Sequence, residues 1–256
     1  MHTIKAYAKV NIFLKIKGQK EGYHTLLSRF VKVNHLYDII SFEPSNSETF
    51  TIEGCDNISL ESNTIHKAYT ALQEHTQSQE LVSFFKEHKV LVTKNIPSQA
   101  GLGGGSSDAA AFMRLVNDVC HLELDPDTLA KIGSLVGADV PFFVYNYNSA
   151  NVSGFGEIVK PFEEPPLELE LFTPHIACDT SVVYKTFNKY LLQHINPTSF
   201  FGWDQLDSKT ILNLVPDPIA LNDLYPAALV AYPELEKLDT KDWFFSGSGS
   251  TFFKLK

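Results

Sequence analysis

Four glycines fall within the run Pro97, Ser98, Gln99, Ala100, Gly101, Leu102, Gly103, Gly104, Gly105, Ser106, Ser107, Asp108. Glycine adopts backbone angles that other residues avoid, so successive N–H groups in such a run can turn toward one point. Ala109, Ala110, Phe112, Met113, Val116 and Val119 then recur at helical spacing. Ser106 or Ser107 is the expected N-cap of that helix, with Asp108 in its first turn. Inward-facing N–H groups that lead into a helix N-terminus form an anion site, most often for phosphate. Glycine with serine is also linker composition, but linkers rarely open straight into an amphipathic helix.

The common glycine fingerprints do not fit this run. G-x-G-x-x-G would need glycine where Ser106 or Asp108 stands, and the chain has no Gly-Lys pair for a Walker A loop. No serine has glycine two residues away on both sides, as a nucleophile elbow requires. The 256 residues, 44% of them hydrophobic, suffice for one large or two modest cores. A net charge of −9 argues against non-specific nucleic-acid or membrane-surface binding, so the lysines near the glycine run stand out. Cys55, Cys120 and Cys178 are too widely spaced for a metal pattern or a disulfide framework, which fits a reducing compartment. No apolar leader follows Met1, and no run reaches membrane-spanning length. A cytoplasmic protein without a metal site of its own is expected.

The elements that must position these residues are legible from periodicity. Ile4, Ala6, Ala8, Val10, Ile12, Leu14 and Ile16 alternate with Lys5, Tyr7, Lys9, Asn11, Phe13 and Lys15, a strand with its apolar set toward a core. Lys9 and Asn11 share the other face, and pattern alone favours reading Lys9 as a solvated strand lysine. A polar loop, Gly18–His24, precedes a strand from Leu26 to Val33. Shorter strands are expected at Asp38–Phe42 and Thr49–Ile52. Asn63 caps a helix with Ile65, Ala68, Tyr69 and Leu72 on one face. His88–Lys94 is a strand leading into the glycine run. Asp125 and Pro126 open another helix, ended by Gly137. Asp139 is then either a further cap or a buried functional carboxylate. Glu157–Pro166 is turn-rich and reads as a hinge. Leu167–Phe172 is a strand, Thr180 and Ser181 cap and start a helix toward Tyr184, and Pro216–Ala231 is helical. Trp243–Phe245, the turn Ser246–Ser250 and Thr251–Phe253 form strand, glycine turn, strand, which by itself is a plain hairpin.

Several blocks carry a resemblance. The run P-x-x-x-G-L-G-G-G-S-S-x-A is similar to the central motif of the GHMP kinases. The block A-K-x-N-x-x-L at Ala8–Leu14, followed by Gly22, Tyr23 and His24, resembles the branch that phosphorylates 4-diphosphocytidyl-2-C-methyl-D-erythritol. Gly137, Ala138, Asp139, Val140 and Pro141 resemble the block that holds that branch's catalytic aspartate. The turn Ser246–Ser250 is similar to the family's third motif. The resemblance spans Ala8 to Phe253. It departs at Gly18–His24, where the family usually shows G-x-R-x-D-G-Y-H; here Lys20 and Glu21 replace Arg and Asp, and the loop is one residue shorter.

The resemblance implies an α+β, two-domain fold. Residues 1–157 would be an ATP-binding domain like domain 2 of ribosomal protein S5, and residues 158–256 a ferredoxin-like α/β sandwich, shortened where the chain stops at Lys256. It implies ATP with Mg²⁺, bound by Pro97, Ser98, Gln99, Ala100, Gly101, Leu102, Gly103, Gly104, Gly105, Ser106 and Ser107, with Asn63 and Lys94 near the adenosine. On the residues alone, Asn63 is a cap and Lys94 a strand-end lysine. Asp139 would be the general base and Lys9 its neighbour at the reacting hydroxyl. Asn11, Tyr23, His24, Asp139, Thr180 and Tyr184 would bind the acceptor, the two tyrosines sandwiching its cytosine and His24 reading its edge. Tyr184 also reads as a helix-face core residue. A monomer or weak homodimer is expected, with no nucleic-acid or membrane partner. Two other readings remain: another acceptor, of the homoserine or mevalonate type, and a nucleotide-binding protein without catalysis. Gly22-Tyr23-His24 with Lys9 and Asn11 weighs against the first, and the pairing of Lys9 with Asp139 against the second.

Overall fold

The computed structural model of the chain describes residues 2–20, 22–55 and 58–256. Glu21, within the shortened loop, lies outside the described residues. Packing divides the chain into two compact units that interleave in sequence, whereas the expected boundary at 157/158 cuts it once. One unit comprises the residues through Ala8, Asn34–Ile96 and Gly104–Asn146; the other comprises Lys9–Val33, Pro97–Gly103 and Tyr147–Lys256. The division falls inside the two longest strands, β1 (His2–Lys20) and β2 (Tyr23–Pro44), which pair with each other.

The first unit continues with β3 (Ile52–Glu53), α1 (Thr64–Thr76), α2 (Gln79–Glu87), β4 (His88–Thr93), α3 (Gly104–Val119), α4 (Pro126–Val136) and α5 (Val140–Tyr145). The C-terminal end of β2 pairs antiparallel with β4, Ile39 opposite Thr93, and β3 pairs parallel with β4. Phe42, Phe85 and Phe112 form the aromatic centre of this core, with ring centroids 5.2–5.9 Å apart in edge-to-face and tilted pairs. Asn63 caps α1 as expected, its Oδ1 accepting from the Ile65 N–H at 2.9 Å. Asp125 caps α4 through the Thr128 N–H at 2.9 Å. Sequence periodicity missed α2, whose cap is Ser78.

The second unit holds β5 (Ser149–Gly154), β6 (Ile158–Pro161), β7 (Leu169–Phe172), α6 (Thr180–Tyr190), α7 (Ser208–Leu214), α8 (Pro218–Leu221), α9 (Tyr225–Ala231), β8 (Phe244–Phe245) and β9 (Phe252–Leu255). The N-terminal part of β2 pairs antiparallel with β5, Leu26 opposite Gly154, and β5 with β6. A separate sheet runs in the order β7-β9-β8.

Four expectations are corrected by this architecture. Leu26–Val33 and Asp38–Phe42 belong to one continuous strand, β2, which pairs with β1 and, toward its two ends, with β5 and β4. The alternating strand is covered on both faces: Phe13 packs edge-on against Trp203 at 5.5 Å, and Lys9, Asn11 and Lys15 are buried. The expected hinge is instead β6 plus a pinned segment. Glu164 accepts from the Ser208 N–H at 2.7 Å and faces Arg29, whose guanidinium lies 3.4 Å from the Phe162 ring centre. Burial pulls the Arg29 guanidinium down to about 10. The expected helix over Pro216–Ala231 breaks at Asn222, whose amide donates to the carbonyls of Phe245 and Gly247, each at 2.9 Å. Among the described residues no helix is long and apolar enough to cross a membrane.

Candidate active site

The glycine run is polarised in a way its composition only suggests. In the second unit its carbonyls are tied off one after another. Gln99 accepts from the Cys178 N–H at 3.0 Å, Ala100 from the Thr251 N–H at 3.1 Å and Leu102 from the Lys9 N–H at 3.0 Å. The Gly101 carbonyl accepts from the Ser246 hydroxyl at 3.0 Å and from the Lys9 ammonium at 3.2 Å. No N–H from Ser98 to Gly103 donates to another described residue. With the carbonyls of Gln99 to Leu102 tied off and the amides of Ser98 to Gly103 not used within the described residues, the loop has the kind of donors an anion site needs. Gly101 and Gly103 make this possible at φ near +73° and +72°. A Cβ on Gly101 would meet the Ser246 carbonyl oxygen at 2.1 Å, so only glycine lets the turn approach.

Lys9 is built into the same network. It is 4% exposed, and its ammonium donates to Asn11 Oδ1 at 2.6 Å and lies 4.7 Å from the Phe30 ring centre. Asn11 in turn donates to Ser28 Oγ at 3.0 Å. The solvated-lysine reading is thereby corrected: the second face of β1 is buried, and a buried ammonium requires partners. Ser246, which anchors the turn to the loop, is a residue that sequence reasoning placed only within a hairpin.

In the first unit, α3 begins at Gly104, so Ser106 and Ser107 are inside its first turns and neither is the N-cap. The Ser107 hydroxyl donates instead to the Tyr7 carbonyl at 2.7 Å. The Thr64 hydroxyl donates to the Gly105 carbonyl at 2.7 Å, joining α1 to the start of α3. The first four N–H groups of a helix have no intrahelical partner. Lys94 binds both Asp38 and Asp108. Asp108, expected to sit in the first turn, is buried, and its Oδ1 has no partner. Asp139 immediately precedes α5 but makes no side-chain capping bond, and it is half-buried. It occupies the N-cap position of that helix by backbone alone.

The remaining residues cluster in the second unit. Tyr23 is 68% exposed, with its ring 5.6 Å from Phe155. His24 lies 5.0 Å from the Tyr184 ring, tilted by 33°, and Tyr184 is half-buried. Asp179 caps α6, not Thr180, because the Asp179 carboxylate reaches the Ser181 N–H at 2.7 Å. The Thr180 hydroxyl pairs with Ser248 Oγ at 2.8 Å, linking α6 to the glycine turn. Asn188 and Gln19, which no motif pointed to, hydrogen-bond around His24.

Residues 63–147 match the family model for the GHMP kinases N-terminal domain. A 4-diphosphocytidyl-2-C-methyl-D-erythritol kinase from Sulfurovum sp. (strain NBC37-1) is 64% identical over 256 residues, covering all of both chains. The chain belongs to this family of GHMP kinases. The enzyme of the same name from Sulfurimonas denitrificans is 47% identical, over the whole of this chain and 97% of that one. A crystal structure of 4-(cytidine 5'-diphospho)-2C-methyl-D-erythritol kinase superposes with a TM-score of 0.72 at 31% identity, covering 99% of this chain and 89% of that one. Membership makes the chain an ATP-dependent small-molecule kinase with the α+β GHMP fold. Within the family the departure at Gly18–His24 leaves Tyr23 and His24 in place at the start of β2.

Proposed function

We propose that this kinase transfers the γ-phosphoryl group of ATP to the 2-hydroxyl of 4-diphosphocytidyl-2-C-methyl-D-erythritol, a step of non-mevalonate isoprenoid synthesis in the cytoplasm. The observation that carries the reading is the buried Lys9 ammonium bonded to a carbonyl of the glycine loop itself, 3.2 Å from Gly101 O. It ties a fixed positive charge to the backbone that cradles phosphate.

Phosphoryl transfer asks little covalent chemistry of protein; positioning and charge stabilisation dominate. The amides of Ser98–Gly103 and of the first turn of α3 hold the phosphates. Lys9, oriented by Asn11, stabilises negative charge on the transferring group and the attacking oxygen. Asp139 accepts the hydroxyl proton. Asn63 and Lys94 border the adenosine. Tyr23 and Tyr184 stack on the cytosine, His24 reads its edge, and Asn11 and Thr180 hold the rest of the acceptor. Residues 1–157 would carry the ATP site and much of the acceptor site, and residues 158–256 would add Thr180 and Tyr184 on the acceptor side.

Magnesium is usually held by substrate phosphates with one or two carboxylates. Among the described residues no group of three His, Cys, Asp or Glu side chains is arranged to hold a cation. Mg²⁺ would arrive on the nucleotide, where it would neutralise phosphate charge.

Phosphorus NMR on the enzyme with ATP, Mg²⁺ and the acceptor tests the reading. ADP and one new phosphomonoester resonance are expected, with no product from homoserine or mevalonate. Release of inorganic phosphate alone, or phosphorylation of either other alcohol in preference, would overturn it.

A further inference from the structure

Resting on the reading that His24 meets the cytosine edge, we propose that Asn188 is a positioning residue that sets the His24 tautomer and so selects cytosine over uracil. Asn188 lies on α6 one turn beyond Tyr184, on the same helix face. Its Oδ1 is 2.5 Å from His24 Nε2 and accepts a second hydrogen bond from Gln19 Nε2 at 2.9 Å. An amide oxygen only accepts, so Nε2 carries the proton and donates. The 3.1 Å between Gln19 Nε2 and His24 Nε2 is then one side of a triangle around a shared acceptor, not a bond. With the Gln19 amide as placed, turning the Asn188 amide over would set two NH₂ groups against each other.

A neutral imidazole protonated at Nε2 presents a lone pair at Nδ1. No described residue hydrogen-bonds His24 Nδ1. The ring plane is held separately, by Tyr184 at 5.0 Å and by Phe187 edge-on at 5.7 Å. Ring position is therefore set by the aromatics, and Asn188 controls the proton. Cytosine offers a 4-amino donor where uracil offers a 4-oxo acceptor, as thymine does. A lone pair at Nδ1 pairs with the first and faces another lone pair in the second. The opposite tautomer would reverse the preference.

The test uses the full-length enzyme, since Asn188 is exposed and its replacement leaves the core intact. Long-range ¹H–¹⁵N correlation of the imidazoles should show His24 protonated at Nε2 in the wild type and as a tautomer mixture in Asn188→Leu. Loss of one net hydrogen bond should raise the acceptor KM roughly 2- to 12-fold, with kcat and the ATP KM unchanged. The preference for the cytidylyl over the uridylyl acceptor should fall by the same factor. His24→Ala separates the two levels of the argument. If His24→Ala raises the acceptor KM while Asn188→Leu keeps the wild-type tautomer and base preference, the role of Asn188 is overturned and the site reading stands. If the acceptor KM of His24→Ala is unchanged, the base-recognition reading falls and this inference with it.

Discussion

Lys94 Nζ stands 2.7 Å from Asp108 Oδ2 and also binds Asp38, so one ammonium serves two buried carboxylates. Both shifts within this group run upward, which favours the charged form of the ammonium and the neutral form of the carboxyl. Lys94 is raised: burial pulls it down, and the two carboxylates more than offset that. Asp108 is raised as well, to about 7, by burial and then by the Asp38 charge, against the pull of Lys94. Geometry accounts for the difference. Asp38 also accepts from the backbone N–H groups of Asn95 and Ile96, whereas Asp108 has only the ammonium, and its Oδ1 is orphaned.

A carboxyl whose folded pKa lies above its unfolded value of about 3.9 contributes stability that is complete at lower pH. For Asp108 that contribution is lost as pH rises to about 7. Asp108→Asn removes the titrating group and leaves Lys94 with Asp38, a balanced pair. The variant should melt like the wild type near pH 4 and above it near pH 8. A gain of about 1 kcal/mol corresponds to roughly 2–4 °C in a protein of this size. Thermal melts across that range check it. A variant that melts lower than the wild type at pH 8 would mean the second carboxylate is a net stabiliser.

What the sequence carried and what it did not can be traced to particular residues. Periodicity located β1, α1 and α4 because their apolar spacing and caps are local properties of Asn63, Asp125 and the alternating run. Period two assigns Lys9 to a face, but whether that face is covered depends on residues as distant as Trp203 and Ser246. The tight turn was legible from its glycines. Its polarisation was not, because the groups that tie off its carbonyls belong to Lys9, Cys178, Ser246 and Thr251. The Asn188–His24 contact joins residues 164 apart, and no local pattern marks it.

Gly101 and Gly103 should fail for different reasons. Alanine at Gly101 drives its Cβ into the Ser246 carbonyl oxygen, a backbone atom that cannot rotate away. Gly101→Ala should therefore cost about 1–3 kcal/mol of stability and weaken ATP binding together. Gly103→Val forces a β-branched residue to φ near +72° where the amides must face phosphate. It should weaken ATP binding strongly while the protein remains folded. ATP titration alongside thermal melts checks both. Wild-type affinity in a folded Gly103→Val protein would remove the loop from the phosphate site.

Lys9 and Asp139 should separate chemistry from binding. If Asp139 is the base, as proposed, Asp139→Asn keeps the shape and removes it, so turnover should fall by about 10²–10⁴ with ATP affinity nearly intact. Lys9→Met keeps most of the buried volume beside Phe30 and removes the ammonium. It should lower kcat by about 10²–10³. Single-turnover kinetics with ATP binding measured in parallel reads both variants, and near-normal turnover in either would displace that residue from the reaction.

Tyr23 offers the sharpest test of the acceptor. It is 68% exposed, and its one described ring neighbour is Phe155, at 5.6 Å and tilted by 55°. A tyrosine so exposed contributes little to the core, so its replacement should leave folding undisturbed. If the ring stacks on cytosine, Tyr23→Ala loses about 1–3 kcal/mol of stacking. The acceptor KM should then rise roughly 5- to 150-fold. The ATP KM should not move if, as proposed, the nucleotide is held by the glycine loop and the start of α3. Tyr23→Phe should be nearly silent, since it keeps the π face and gives up only a hydroxyl. Steady-state kinetics with each substrate varied in turn distinguishes the outcomes. Equal rises in both KM values would make Tyr23 a structural residue, and an unchanged acceptor KM would place the cytosine elsewhere.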